Sequence, residues 1–118
     1  MSSRIILVIV FAVLTSACAD PMPKLADGLP RSFVPTSNFD ERLKELFPVG
    51  SNETQLTAEL QRERFVLRYG GDPAKVYQFA SIYERHDFPC RETWTVLWSA
   101  ELGRVTAIAG RDSGDLCL

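Results

Sequence analysis

The chain has 118 residues, with 13 basic and 15 acidic side chains, so its formal net charge at neutral pH is −2. This length suits one domain and leaves no room for a second, because single cores of about 100 to 150 residues are the common case. With 46% hydrophobic and 24% charged residues, the composition is that of a folded chain rather than a disordered one. The acidic balance argues against nucleic acid as a partner.

The first 18 residues have the pattern of a bacterial export signal. Arg4 supplies a positive charge, and ten apolar residues follow without interruption at 5–14. This run is too short to cross a bilayer as a helix, which takes about 20 apolar residues. Small residues then lead to Cys18, and this arrangement resembles the lipobox at which bacterial lipoproteins are cleaved and acylated. We therefore predict a signal peptide at 1–17 and a lipid anchor on Cys18.

Two other interpretations of this segment stay open. Ala17-Cys18-Ala19 also forms an A-x-A site, and cleavage there would release a soluble periplasmic or secreted protein. A buried core helix is the second alternative, and it would need burial on every side because none of its ten residues is polar. If Cys18 is the anchor, the absence of aspartate at position 19 favours the periplasmic face of the outer membrane.

The segment that follows the anchor is rich in proline. Four of the seven prolines lie between 19 and 38, with Gly28 among them and no helical or strand periodicity. This composition predicts a tether at 18–38 that leads to a folded domain at 39–118.

Two short helices are predicted at the start of that domain. Ser37 and the acidic residues after it form a helix start, and Pro48 ends the first helix. Ser51 is the predicted N-cap of the second helix, which ends near Arg62. The expected inward-facing residues are Phe39, Leu43, Leu46, Phe47, Leu56, Ala58 and Leu60, and the expected outward-facing ones are Glu59, Gln61, Arg62, Glu63 and Arg64.

The rest of the chain has the features of an antiparallel sheet. A short strand is expected at 65–69, a turn at 70–73 and a long strand at 76–85. Period-two alternation at 93–100 and a second strand at 104–110 predict a hairpin, with Glu101-Leu102-Gly103 as its loop. The predicted fold class is α+β, with two short N-terminal helices packed on an antiparallel meander of three to four strands.

The cysteine count supports a disulfide. Once Cys18 is used as the anchor or removed with the signal, Cys90 and Cys117 remain, and both lie almost symmetrically about the predicted hairpin. Strict pairing in that hairpin would place Cys90 opposite a residue near Gly114. The stretch at 112–115 must therefore accommodate about three additional residues before a Cys90–Cys117 bridge can close. The alternative is two buried free thiols, which an oxidising compartment disfavours.

A family resemblance covers about residues 39–110. The stretch Phe47-Pro48-Val49-Gly50-Ser51, followed by Gln55-Leu56 and Leu60, resembles the start of the SmpA/OmlA (BamE-like) family of small outer-membrane lipoproteins, in which a glycine opens the second helix. The later aromatic strand and terminal hairpin agree with that family in kind. The chain differs by lacking Gly-x-Pro after the leucine and by carrying the Cys90 and Cys117 pair. The resemblance implies an α-α-β-β-β fold, a lipoprotein and a role in outer-membrane assembly.

The sequence contains no pattern typical of a catalytic, metal or cofactor site. His86 is the single histidine, and pairing it with Cys90 as a nucleophile fails if Cys90 is oxidised. One histidine and separated cysteines do not make a metal site, and no phosphate-binding loop is present in the sequence. We expect a non-enzymatic envelope scaffold or assembly accessory that is held to the membrane through its lipid and binds another envelope protein.

The alternative function is a small disulfide-stabilised inhibitor of a hydrolase such as lysozyme. Such an inhibitor would present the loop at 85–89 to an active-site cleft, with His86, Phe88 and Pro89 as the candidate partner-binding residues. A loop packed on the core is the structural alternative for Phe88. An anchored ligand binder is a third hypothesis, and it would need a pocket.

Overall fold

Two helices precede an antiparallel sheet in the computed structural model, which describes residues 21–30, 32–68 and 76–118. The helices are α1 (Asn38–Leu46) and α2 (Glu53–Arg62). The strands are β1 (Val66–Arg68), β2 (Phe79–Asp87), β3 (Cys90–Glu101), β4 (Arg104–Asp112) and β5 (Leu116–Cys117). The predicted α+β class is confirmed, and the described part of the sheet has five strands, against the three to four expected.

The sheet is a meander in which β3 is the central strand. Its order is β1-β2-β3-β4, and every pairing is antiparallel. The short strand β5 pairs with the start of β3, beyond the point where β4 ends. The β3–β4 turn has two residues, Leu102 and Gly103, because Glu101 already pairs with Arg104. The three-residue loop predicted here is therefore wrong by one residue, and both turn residues adopt the positive φ that a two-residue hairpin favours.

The core lies between the helices and one face of the sheet. Trp94, Val96 and Trp98 alternate along β3 and are buried with Leu56 and Leu60 of α2. The indole Nε1 of Trp98 donates a hydrogen bond to Glu53 at 3.1 Å, so the polar edge of this buried ring has a partner in the first turn of α2. The predicted alternation of β3 is confirmed, and it determines which face of the sheet the helices cover.

Helix α1 approaches β4 closely because Gly110 has no side chain. A Cβ atom added at Gly110 would lie 2.6 Å from Leu43 Cδ1 and 2.9 Å from Phe39 Cδ1. The Gly110 amide also donates a hydrogen bond to Asp40 Oδ1 at 2.9 Å, so a side chain of α1 binds the backbone of β4 directly. Glycine is therefore required here by packing, and its φ is not in the left-handed region.

Substituting Gly110→Ala should destabilise the fold by about 1 to 3 kcal/mol, because the new methyl group forces α1 away from the sheet. Chemical denaturation of the two proteins measures this loss. Ala109→Ser is the matched control, since Ala109 is the adjacent β4 residue, and we expect it to change the free energy of unfolding by less than about 0.5 kcal/mol. Equal effects of the two substitutions would contradict the close-approach explanation.

The proline-rich segment differs from its prediction as a tether. Between Pro21 and Pro30 the chain packs against the domain, and Leu25 and Ala26 are 4% and 3% exposed within the main core. A single 3-10 turn at Lys24–Ala26 carries both side chains inward. The folded unit therefore includes residues upstream of 39. The apolar residues Met22, Leu25, Ala26 and Leu29 have the i, i+3, i+4, i+7 spacing of a helix face, so the expected lack of periodicity was wrong. The prolines at 21, 23 and 30 concealed this signal because they disfavour a regular helix.

Smaller differences concern the ends of the elements. Ser37 precedes α1 but makes no side-chain cap hydrogen bond, and the N-cap of α2 is Asn52, whose side chain accepts from the Gln55 amide, rather than Ser51. Strand β2 begins at Phe79, so Tyr77 lies outside it. Leu46 and Ala58 were predicted to face the core and are exposed.

Several predictions fall on parts of the chain outside the described residues. The signal at 1–17, the anchor at Cys18 and the turn at 70–73 all lie there. Within 21–30, 32–68 and 76–118, no helix has the length and apolar character that crossing a membrane requires.

Candidate functional site

The candidate partner-binding residues lie at the turn between β2 and β3. Asp87 pairs with Cys90, so only Phe88 and Pro89 form the turn, and the peptide bond between them is cis. Phe88 is 86% exposed and projects from the end of the sheet. The predicted loop at 85–89 is thus shorter than expected, because 85–87 belong to β2. Its aromatic residue is not packed on the core.

A disulfide between Cys90 and Cys117 braces this turn, which confirms the predicted pairing. Strict hairpin pairing places Cys90 opposite Gly114, three residues before Cys117, and three shifts of one residue each account for the difference. One is taken up by centring the turn between Leu102 and Gly103, and one by the bulge at Ser99 and Ala100. The third lies between Asp112 and Leu116, where the pairing shifts from Trp94 opposite Asp112 to Cys90 opposite Cys117.

A surface concavity of about 540 Å³ lies beside the turn. It brings together all three predicted partner-binding residues, His86, Phe88 and Pro89, with the disulfide and the C-terminal residues. Leu116 and Leu118 on its rim are 47% and 100% exposed. The tip of the sheet therefore combines an exposed aromatic ring, exposed leucines and a covalent brace. This group, Phe88, Pro89, Leu116 and Leu118, is called the apolar tip below.

The arrangement does not support the Cys-His nucleophile considered from the sequence. Cys90 is oxidised in the disulfide, so no thiol faces His86. His86 Nε2 instead lies 3.7 Å from Glu84 Oε2 on an exposed part of β2. Among the described residues, no group of three or more histidine, cysteine or acidic side chains has an arrangement that could hold a metal ion.

Replacing both cysteines with serine should lower the free energy of unfolding by about 3 to 4 kcal/mol, because the bridge closes a loop of 27 residues. Denaturation with and without a reductant measures this difference for the wild type. The double variant is the control, since its stability should not respond to the reductant. A wild type that is equally stable in both conditions would contradict the role of the brace.

Glu63 is a buried carboxyl group that fastens the N-terminal segment. It was predicted to face outward, yet it is 7% exposed, and its Oε1 accepts a hydrogen bond from the Leu25 amide at 2.7 Å. Burial raises the pKa of Glu63 to about 7, with a further increase from the neighbouring Glu59 carboxyl and an opposing effect of the Leu25 amide. The outward prediction failed because Glu63 is the C-cap residue after α2, and its side chain contacts the segment at 21–30.

Glu92 is the second buried carboxyl group. It is 4% exposed and lies on the same face of β3 as Trp94, two residues away. Burial raises the pKa of Glu92 to about 8, and the nearby carboxyl groups of Asp112 and Asp115 raise it further. Its Oε1 atom is buried without a hydrogen-bond partner. The period-two alternation that identified Trp94, Val96 and Trp98 extends back to Glu92, so the sequence contained the signal for this placement.

These two pKa values predict a stability that decreases as the pH rises. A carboxyl group whose pKa is raised by folding favours the folded state fully below its ordinary pKa near 4.5, and the benefit is lost as the pH passes its folded value. We therefore expect the melting temperature to fall from about pH 5, with a slope that decreases near pH 7 and levels off above about pH 8. Asp40, whose pKa is lowered, stabilises the fold above its ordinary pKa near 3.8 and loses that contribution only in more acidic solution, outside this pH range.

The variant Glu63→Gln/Glu92→Gln should flatten that pH dependence, since neither amide titrates. Melting curves between pH 5 and pH 9 provide the measurement. Glu84→Gln is the matched control because Glu84 is exposed, and it should keep the wild-type slope. A double variant with an unchanged slope would show that other groups cause the effect.

Comparison of the chain with family models, with curated proteins and with solved structures finds no match. The candidate function therefore depends on the residues and geometry of this chain alone.

Proposed function

We propose that this chain is an exported, non-enzymatic lipoprotein of the cell envelope, anchored through Cys18 and bound to another envelope protein through its apolar tip. Its place is the periplasmic face of the outer membrane, as a scaffold or assembly accessory like members of the SmpA/OmlA family. The observation that carries the binding role is the exposure of Phe88 beside a disulfide.

The disulfide supports a location in the cell envelope. Cys90 and Cys117 are joined, so Cys18 is the odd cysteine, as the lipoprotein interpretation requires. Disulfides form and persist in oxidising compartments, which include the bacterial periplasm, and are rare in the cytosol. Acylation of Cys18 would leave the protein without a free thiol.

The order of the elements supports the relation to the SmpA/OmlA family. Two helices precede an antiparallel meander, and the helices cover one face of that meander. Glycine at position 50 has a φ of +95° in the link between α1 and α2, where the family resemblance places a glycine before the second helix. The three long strands β2, β3 and β4 form the meander, while β1 adds three residues at its edge beside β2 and β5 pairs two residues with the start of β3.

The apolar tip has the physical character of a protein-binding surface. Aromatic side chains dominate the energetics of protein interfaces, and a rigid frame reduces the entropy lost on binding. Phe88 exposes most of its ring, while the flanking strands and the disulfide fix the backbone beneath it. Exposure of the apolar Phe88 ring to water is unfavourable, so its burial by a partner would contribute to the free energy of binding.

Inhibition of an envelope hydrolase such as lysozyme is the second candidate function. The projecting two-residue turn favours it, because a narrow, braced turn can enter an active-site cleft. The two functions share Phe88 as the contact and differ in the partner.

Replacing Phe88 with alanine should weaken partner binding at least tenfold, since a buried aromatic anchor contributes about 2 kcal/mol or more to an interface. A photo-crosslinking residue at position 88 in the full chain, expressed in a Gram-negative host, identifies the partner. The Phe88→Ala protein then tests its affinity. Crosslinks to proteins of outer-membrane barrel assembly would favour the scaffold, and inhibition of purified lysozyme would favour the inhibitor.

Leu102 supplies a matched control at the other end of the sheet. It is 97% exposed in the two-residue β3–β4 turn, so it is equally apolar and equally accessible. Crosslinking from position 102 should not yield the same partner, and Leu102→Ala should leave the affinity within about twofold. Equal crosslinking from both turns would mean that the apolar tip is not the binding surface.

A further inference from the structure

The C-terminal residues 116–118 supply both leucines of the apolar tip, and few interactions besides the disulfide hold them to the domain. All three residues are exposed, so they bury little apolar surface. Their backbone pairs with the start of β3, and the Leu118 amide donates a hydrogen bond to the Pro89 carbonyl oxygen at 3.0 Å. Fixing a backbone costs conformational entropy, which a few exposed hydrogen bonds do not offset. The Cys90–Cys117 bridge is therefore the interaction that keeps β5 in place.

The segment immediately before β5 is held in a different way. The Asp115 amide donates a hydrogen bond to the Ser32 carbonyl oxygen at 2.8 Å. Gly114 is buried, and a Cβ atom added to it would lie 2.9 Å from the carbonyl carbon of Val34. These contacts do not involve the disulfide. Loss of the bridge should therefore free the chain only from Leu116 onwards.

The disulfide lies where a thiol of another molecule can reach it. Cys117 is exposed, Cys90 is half-buried, and both line the concavity of about 540 Å³ beside the β2–β3 turn. Exchange begins when a thiolate attacks one sulfur of a disulfide, and its rate depends on access to that sulfur. Exposed disulfides are accordingly the labile and regulatory ones. Cys117 is the more accessible point of attack.

We propose that Cys117 is a site of thiol–disulfide exchange with a protein dithiol, and that reduction there releases residues 116–118 from the apolar tip. This inference rests on the proposed function, because it concerns the regulation of the same binding surface.

The exchange has two steps. A thiolate of the dithiol forms a bond to Cys117 Sγ, the bond between the two Sγ atoms breaks, and Cys90 leaves as a thiolate that takes a proton from water. The second thiolate of the dithiol then attacks its own partner sulfur in the mixed disulfide, and Cys117 leaves as a thiolate and is protonated in turn. Two electrons pass from the dithiol, which becomes a disulfide, to the Cys90–Cys117 pair.

Reduction would leave only half of the apolar tip in place. The turn that carries Phe88 stays closed, because Asp87 still pairs with Cys90 across β2 and β3. Leu116 and Leu118 would no longer be held beside the aromatic ring. The oxidised protein should therefore bind the partner more tightly than the reduced protein.

Trapping with glutathione tests the site of exchange. The oxidised full chain is mixed with reduced glutathione and alkylated rapidly with N-ethylmaleimide, and the adducts are located by mass spectrometry. Glutathione should be found on Cys117 at least about fivefold more often than on Cys90, because access selects the sulfur that is attacked. Equal amounts on the two cysteines, or no adduct on Cys117, would overturn the assignment.

Hydrogen exchange of the same protein with and without dithiothreitol tests the release. Amides at 116–118 should exchange at least about tenfold faster after reduction, while those at 94–98 in the core of β3 should change by less than about twofold. The variant Cys90→Ser/Cys117→Ser is the control, and its amides at 116–118 should exchange rapidly in both conditions. Unchanged exchange at 116–118, or unfolding of the whole domain on reduction, would contradict the inference.

Photo-crosslinking from position 88 separates this inference from the proposed function. The yield should be at least about threefold lower in the variant Cys90→Ser/Cys117→Ser than in the protein with the disulfide, since the released leucines no longer contribute to the interface. An equal yield would overturn redox control of the tip and leave binding through Phe88 standing. Absence of crosslinks from position 88 in the oxidised protein would contradict the proposed function itself, and with it the role of reduction in binding.

Discussion

The alternation of side chains along β3 is the constraint on which the rest of the fold depends. Trp94, Val96 and Trp98 all point to the helices, and a shift of one residue in the register would move them to the opposite face. Each neighbouring element is positioned by this strand. The helices cover its apolar face, β2 and β4 pair along its edges, and its first residue carries the disulfide.

Two segments without long helices or strands lie on either side of this framework along the described chain. At the N-terminal side, a buried carboxyl group holds a segment that has no regular structure beyond one 3-10 turn. At the C-terminal side, a disulfide holds a strand of two residues. Neither segment has enough apolar surface to stay folded by itself. The hydrogen bond at Glu63 and the disulfide at Cys117 therefore hold these two segments on the domain.

Much of the architecture could be predicted from the sequence because it depends on periodic patterns. The alternation at 93–100 identified β3, and the helical spacing of Leu56 and Leu60 identified α2. The disulfide could be predicted because the two cysteines lie nearly symmetrically about a recognisable hairpin. Each of these features has a local signal that a single stretch of residues contains.

The features that could not be predicted depend on contacts between distant residues. The burial of Glu63 results from its hydrogen bond to Leu25, which lies 38 residues away, and helix periodicity alone places Glu63 outside. The packing of 21–30 has a helical spacing of apolar residues as its signal, but the surrounding prolines disfavour a regular helix and conceal that signal. The exposure of Phe88 depends on a two-residue turn, and an aromatic residue in a loop gives no indication of whether it faces the core or water.

Cys90 and Cys117 form the disulfide, and the proposed function assigns Cys18 to the lipid anchor. The intact mass and N-terminal residue of the mature protein, purified from a Gram-negative host, test this assignment most directly. We expect a chain that begins at an acylated Cys18, fractionates with membranes and contains no free thiol. A soluble chain that begins at Asp20, or an uncleaved chain, would contradict the lipid anchor.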